Sequence, residues 1–282
     1  MLHLCNTWFE GGHKFVRWSP QSSSLLRNGK HQLSAQLRKY LSRRCAHVKG
    51  HGGVKASVRY TQRLCNHYGY VARFDIRAYY QSMDLQILET LLNGCQVTPF
   101  IANLVQEYLS LPDPNNRGKG MVAGGALSPL LGALYLTPLD REMERLKALI
   151  GIRYQRFMDD FVIFAPTRHK LRRAIRCAHV ILDKLRVRVH PKKRFIGKTQ
   201  RGFDFLGYWF EPHTLLKPSR VSLSRFLERA RRLQEKGADL RRLRQYVQRW
   251  VIWHRSGLCG MIDKRSHFSQ FWNYITRTLN LN

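Results

Sequence analysis

Residues 153–164 read Arg-Tyr-Gln-Arg-Phe-Met-Asp-Asp-Phe-Val-Ile-Phe, and the reading of this stretch decides the fold. Two adjacent acids, Asp159 and Asp160, stand between two apolar, aromatic runs. Each run has the composition of a short strand, so the acids fall at the turn of a hairpin. Successive strand residues point to opposite faces, and a tight turn brings carboxylates to one exposed edge. Acids in so apolar a setting are costly unless positive charge sits beside them. That charge is either a divalent metal or a basic side chain. Two Mg2+ ions held by carboxylates are what phosphoryl transfer to a nucleotide needs. Alone, the pair also reads as a solvated hairpin turn, because short motifs recur by chance.

The chain has 282 residues, 44% of them hydrophobic, enough for a proper core in one large domain or two smaller ones. Lys and Arg number 49 against 18 acids, a net charge of +31 spread along the chain. Such a charge repels itself unless a polyanion neutralises it, which makes nucleic acid the first candidate partner and an anionic membrane the second. No apolar run reaches about 18 residues, so no transmembrane helix is expected. The opening MLHLCNTWFEGGHKF lacks the basic-then-apolar order of a signal peptide. No cysteine pair has CxxC spacing, which favours free thiols in a reducing cytoplasm. Cys45, His47 and His51 raise a zinc site as a minor alternative, against which their irregular spacing counts.

Residues 1–30 show little periodicity and read as irregular. Leu33, Leu37, Tyr40 and Leu41 predict a basic amphipathic helix over Gln32 to Arg44. The glycine-rich turn Cys45 to Gly53 follows, either an ordinary loop or one whose amides approach phosphate. Helix is expected from Val54 to Asn66 and strand from Tyr70 to Ile76, with Asp75 at its C-terminal end. Asp84 is placed to cap a helix from Leu85 to Leu92, and Thr98-Pro99 to open another to Leu109. Ser128-Pro129 starts a helix running toward Arg145. Leu171, Ile175, Ala178, Leu182 and Leu185 form the stripe of a helix capped by Thr167. Residues 202–209 read as strand or hairpin. From Ser222 the pattern is wholly helical, broken near Lys236-Gly237, and the composition shifts near residue 215. This divides the chain into a mixed body, 1–215, and a helical subdomain, 216–282.

Asp75, Asp159 and Asp160 thus stand at strand ends, with a glycine-rich Ser-Pro helix start between them. This order resembles the palm of a reverse transcriptase, specifically the prokaryotic retroelement type of group II introns, retrons and diversity-generating retroelements, over about residues 45–280. FDIRAYYQSMD looks like the first palm motif, GMVAGGALSPLLGALYL like the second, and FMDD like the YxDD box. LRVRVHPKKRFIG is similar to the fourth and FDFLGYWF to the primer grip. Together and in order these are far more specific than any one. The resemblance implies an α+β right-hand polymerase. Its palm and short or incomplete fingers have an antiparallel sheet backed by helices, and a helical thumb follows.

The resemblance also implies roles. Asp75 and Asp159 would ligate two Mg2+ ions (Mn2+ as a substitute) with the backbone of Ile76, and Asp160 would assist. Tyr80 would stack under the incoming sugar and exclude a 2′-hydroxyl. The backbone through Ala78 and Tyr79 would line the triphosphate, and Gly124 and Gly125 would pass close to the new base pair. Lys193, with Lys192 as its alternative, would help pyrophosphate leave. Leu206 and Gly207 would hold the primer end. The partners would be an RNA template, a DNA or RNA primer and dNTPs, with no membrane. A further protein or structured RNA stays open. The sign-biased faces carrying Arg172, Arg173, Arg176, Arg231, Arg232 and Arg241 would contact nucleic-acid backbone without reading sequence.

The chain departs from the family pattern in places. Phe157 stands for the usual Tyr and Ala123 for a Gln before the glycines. Ser128-Pro129 is closer to the group II intron type than to the Ser-Gln of diversity-generating elements. The first fingers segment has no clear match before Cys45, where Arg17, Arg27, Lys30 and the Gly-His-Gly-Gly turn are substitutes. No nuclease-type extension is expected after the thumb. Two other readings compete with an RNA-directed DNA polymerase. One is an RNA-binding module with a silent palm. The other is a polymerase of different template or sugar choice, against which the ring of Tyr80 argues.

Overall fold

The structure, a computed structural model, describes residues 2–10, 13–110, 118–122, 125–263 and 265–280. In chain order the elements are β1 (Leu4–Glu10), β2 (His13–Trp18), α1 (Pro20–Leu37), α2 (Gly53–His67), β3 (Tyr70–Asp75), α3 (Tyr79–Ser82), α4 (Leu85–Asn93) and α5 (Pro99–Leu109). Then come α6 (Ser128–Tyr135), α7 (Thr137–Ile150), β4 (Arg153–Phe157), β5 (Asp160–Ala165), α8 (Arg168–Lys184), β6 (Phe195–Lys198), β7 (Phe203–Phe205), β8 (Tyr208–Phe210) and β9 (Lys217–Pro218). The last helices are α9 (Arg220–Glu235), α10 (Leu240–Arg255) and α11 (Phe268–Leu279). Two compact units result, Met1–Gly53 with Ala72–Ile196, and Val54–Val71 with Gly197–Asn282. None of the described helices is long and apolar enough to cross a membrane.

The first unit is built on a sheet of order β4-β5-β3-β6. β4 and β5 form the expected antiparallel hairpin, with Phe157 opposite Asp160. Phe161 to Ala165 of β5 are fully buried because both sheet faces are covered. Phe74 of β3 meets Phe161 and, across the layer, His179 of α8. Asp140 of α7 bonds Tyr154 and Arg156 of β4. One face of the sheet is therefore backed by α7 and α8. With side chains alternating along a strand, Arg73, Asp75 and Asp160 belong to the opposite face.

The N-terminal segment differs from expectation. β1 and β2 pair antiparallel where irregular chain was expected, and helix begins at Pro20, not Gln32. Ser19 caps it by accepting the Ser22 N–H, and Pro20 occupies the first turn, where a missing N–H costs nothing. Its serines obscure the stripe, yet Leu26, Gly29, Leu33 and Leu37 are all buried. A Cβ on Gly29 would sit 2.1 Å from Leu104 Cδ2, so this mid-helix glycine permits close packing on α5. The helix expected from Ser128 toward Arg145 divides at Leu136, because Pro138 removes a backbone donor and disfavours helix before it. The Asp84 and Thr167 caps form as expected.

In the second unit, α9, α10 and α11 enclose a core of Phe226, Ala230, Val247, Val251, Phe271 and Ile275. β7, β8 and β9 form a small antiparallel sheet.

Candidate active site

Asp75 closes β3, and backbone pairing brings it to the acidic turn. The Ile76 N–H donates to the Asp159 carbonyl at 3.2 Å, and the His190 N–H to the Asp75 carbonyl at 2.7 Å. The Arg77 N–H donates to Arg188 at 2.9 Å, and Ile76 bridges Val189. The end of β3 is thus held between the turn and residues 188–190. The Asp159 carboxyl titrates above the ordinary carboxylate range, first because burial penalises its charge and also because the Asp75 carboxylate lies near. Lys193 and Arg156 offset this only in part.

Asp160 is placed differently. Arg73 Nε and Nη2 donate to its two carboxylate oxygens at 3.0 Å each. Burial still outweighs this partner and pushes the Asp160 carboxyl up to about 7. Arg73 Nη1 also donates to the Lys193 carbonyl at 2.9 Å, and Lys193 Nζ lies 3.5 Å from Asp75 Oδ1. Of the two lysines, Lys193 is the one beside the acids. Among the described residues no group of three or more His, Cys, Asp or Glu forms a metal cage. Asp75 and Asp159 nevertheless suit Mg2+, which takes one or two carboxylates and completes its shell with water and substrate phosphate.

The turn itself is clamped on both sides. Met158 is left-handed, φ 56°, uncommon for a side chain of this kind. Its N–H donates to His47 Nδ1 at 3.0 Å, and its carbonyl accepts from Arg156 Nη1 at 2.9 Å. His47 Nε2 lies 3.0 Å from the Pro129 carbonyl, so that nitrogen carries the proton and Nδ1 accepts. Cys45 Sγ is 3.4 Å from the same Nδ1. His47 therefore has both ring nitrogens engaged, Nδ1 at the turn and Nε2 at the Pro129 carbonyl, and among the described residues Cys45, His47 and His51 form no metal-ligating group. The remainder of the Arg156 guanidinium is bonded to Asp140 and the Ala133 carbonyl, and both charged residues are buried.

Ala78 is also left-handed, φ 47°, at the start of α3. Tyr79 is a core residue whose hydroxyl donates to the Gly132 carbonyl at 2.5 Å. Tyr80 is only partly buried, and burial together with the nearby Asp159 holds its phenol above the ordinary range. A Cβ on Gly125 would lie 1.7 Å from the Tyr108 hydroxyl. That hydroxyl is 2.8 Å from Ser128 Oγ, which donates to the Val122 carbonyl at 2.6 Å. Gly124 and Ala123 lie outside the described residues.

Leu206 and Gly207, in the second unit, form the two-residue turn between β7 and β8, with φ 49° and 85°. Positive φ at both positions matches the twist of a tight hairpin. Leucine there is strained, the kind of local cost that gathers at functional sites. Arg231, Arg232 and Arg241 are exposed on α9 and α10, and Arg232 pairs with Glu228 at 2.5 Å. Arg172, Arg173 and Arg176 are exposed on α8 and are not brought to the carboxylates. Arg73, Arg156 and the positioning role of His47 escaped sequence reasoning. Arg73 carried one signal, its two-residue spacing from Asp75 on a strand.

A family model described as reverse transcriptase (RNA-dependent DNA polymerase) matches residues 24–210. Three solved structures are similar in fold. Apo telomerase from Candida tropicalis gives a TM-score of 0.56 at 13% identity, over 91% of this chain and 54% of that one. Telomerase from Candida albicans in complex with a TWJ fragment of telomeric RNA gives 0.54 at 12%, over 90% and 52%. Candida tropicalis telomerase truncated from its C-terminal domain gives 0.51 at 16%, over 70% and 45%. The chain thus spans about half the length of the structures it matches. No curated protein matches it in sequence.

Proposed function

This chain belongs to the reverse transcriptase (RNA-dependent DNA polymerase) family, and from that premise we propose that it extends a primer 3′-hydroxyl with dNTPs on an RNA template. One observation carries the reading: the Ile76–Asp159 backbone bond joins Asp75 at a strand end to Asp159 in a clamped turn. Asp75 and Asp159 would hold Mg2+, or Mn2+ in its place, with the Ile76 carbonyl as a further oxygen. The bound ions would activate the 3′-hydroxyl and neutralise the triphosphate. Asp160, held by Arg73, keeps the pair oriented from the adjoining strand instead of supplying a free carboxylate. Lys193 would give a proton to departing pyrophosphate. Tyr80 would lie beneath the sugar, the backbone of Ala78 and Tyr79 would line the triphosphate, and Gly124 and Gly125 would let the chain pass close to the new base pair. Leu206 and Gly207 would hold the primer, and Arg231, Arg232 and Arg241 the duplex backbone. Ser128-Pro129 favours an origin in prokaryotic retroelements of the group II intron type.

A second reading, an RNA-binding module with a silent palm, has one observation in its favour, the engagement of both Asp160 oxygens by Arg73. Primer extension on poly-rA/oligo-dT with dTTP separates the two. Metal-dependent synthesis, lost with EDTA and in Asp159→Asn, is expected. Incorporation retained by an Asp75→Ala/Asp159→Asn double variant would sink the polymerase reading, and salt-sensitive RNA binding without synthesis would favour the module.

A further inference from the structure

α8 buries Leu171, Ala174, Ala178 and Leu182, and Phe74 meets its His179. The carboxylates stand on the far face of the same sheet. The side of α8 turned away from the sheet is therefore separated from the acidic site by the helix and the sheet together. That side carries Arg168, His169, Arg172, Arg173, Arg176 and Lys184, all exposed; Asp183 is the one acid of α8 among them, and Glu142 of α7 lies near Arg173. Arg168, Arg172 and Arg176 follow one another at i,i+4, and Arg173 and Arg176 at i,i+3. Like charges at these spacings destabilise a helix. Among the described residues none of Arg168, Arg172 and Arg176 has a carboxylate partner. α7 is different, because its Arg145 and Lys147 pair with Glu142 and Glu144. The unrelieved row lies on one helix of one unit.

We propose that this outer face of α8 is a second nucleic-acid surface, distinct from the polymerase cleft, which takes the phosphate backbone of folded RNA. Its arginines step about 6 Å along the helix axis, close to the spacing of successive phosphates on a strand. Guanidinium forks engage phosphate oxygens bidentately and carry no sequence information. The choice of RNA over other polyanions rests on the polymerase reading, in which the RNA extends beyond its templating stretch. The surface itself does not depend on that reading.

The test uses the full chain and a labelled RNA hairpin, with a short poly-rA/oligo-dT hybrid saturating the cleft. Hairpin binding that persists under saturation is expected. An Arg172→Gln/Arg173→Gln/Arg176→Gln variant should bind it about tenfold more weakly and lower the log–log salt slope by roughly 2–3. The variant should keep the wild-type extension rate on the short hybrid and the wild-type melting temperature. A photo-crosslinking residue at Val180, which is 53% exposed, should label the hairpin. Competition by the short hybrid, or unchanged affinity and slope in the variant, would overturn the second surface. A DNA hairpin bound more tightly than the RNA one would overturn the assignment to RNA. Absent synthesis by wild type would undermine the polymerase reading while leaving hairpin binding as an independent result.

Discussion

His47 Nδ1 accepts the backbone N–H of Met158 at 3.0 Å, one residue before Asp159. A loop residue more than a hundred positions upstream thereby sets the conformation of the acidic turn. Burial holds the imidazole neutral, with its pKa pushed down to about 4, so Nδ1 keeps its lone pair. Replacing a group that orients a metal ligand typically costs about 10–100-fold in metal affinity or activity. His47→Ala should raise the Mg2+ concentration for half-maximal extension by about tenfold or more. His47→Asn, whose Oδ1 can stand where Nδ1 was, should recover most of it. Hydrogen exchange at the Met158 amide in metal-free protein should quicken in the first variant and stay slow in the second. Equal exchange in all three proteins would refute the clamp.

Arg156 holds the other side of Met158 while paired with Asp140 in the core. Breaking a buried pair by removing one partner costs about 3–5 kcal/mol. Arg156→Met should be destabilised by that order in urea unfolding. Arg156→Met with Asp140→Leu should regain much of the loss, because no charge is left buried alone. The double variant should still extend primers about tenfold or more slowly, since the bond to the Met158 carbonyl is gone. Full recovery of the rate would show that Arg156 acts through stability alone.

Gly125 has no room for a methyl group beside the Tyr108 hydroxyl. Gly125→Ala should destabilise by about 1–3 kcal/mol through overpacking, and slow extension. Adding Tyr108→Phe removes the nearest atom and leaves Tyr108 Cζ at 2.9 Å, so the pair should be less damaged than the sum of the singles. Melting temperatures of the four proteins check this, and strict additivity would contradict it.

His254 is buried between Tyr208 and Trp250, their rings 4.7 and 5.2 Å away. Among the described residues neither of its ring nitrogens has a hydrogen-bond partner. Burial, with Lys55 and Arg255 nearby, pushes its pKa down from 6.5 to about 4. The unfolded chain therefore takes up a proton between pH 6.5 and 4 that the folded chain refuses. Stability is whole above pH 6.5 and falls through that window by roughly 3 kcal/mol for this residue. His254→Phe should flatten the decline and gain about 1–3 kcal/mol at neutral pH by removing an unsatisfied polar group. A steeper acid decline in the variant would be the contrary result.

The hairpin of Asp159 and Asp160 was legible because apolar runs flank a short polar turn, and Asp75 because it ends a clear strand. The caps at Asp84 and Thr167 were legible from side chains that bond their own neighbouring amides. The Pro20 helix start was obscured by a polar serine run, although Ser19-Pro20 is a cap and first-turn pair. The division at Leu136 lay in Pro138, outweighed by the leucines around it.

By itself the sequence determined the strong positive charge, the strand-end acids and the order of motifs, because these are local properties of spacing and side-chain chemistry. Tertiary structure alone decided that Arg73 engages Asp160, that His47 and Arg156 grip Met158, and that the α8 arginines stand behind the sheet. Each of these depends on which face of a strand or helix meets a distant segment. Packing of the whole unit sets that, since a single-residue change of register would exchange the two faces.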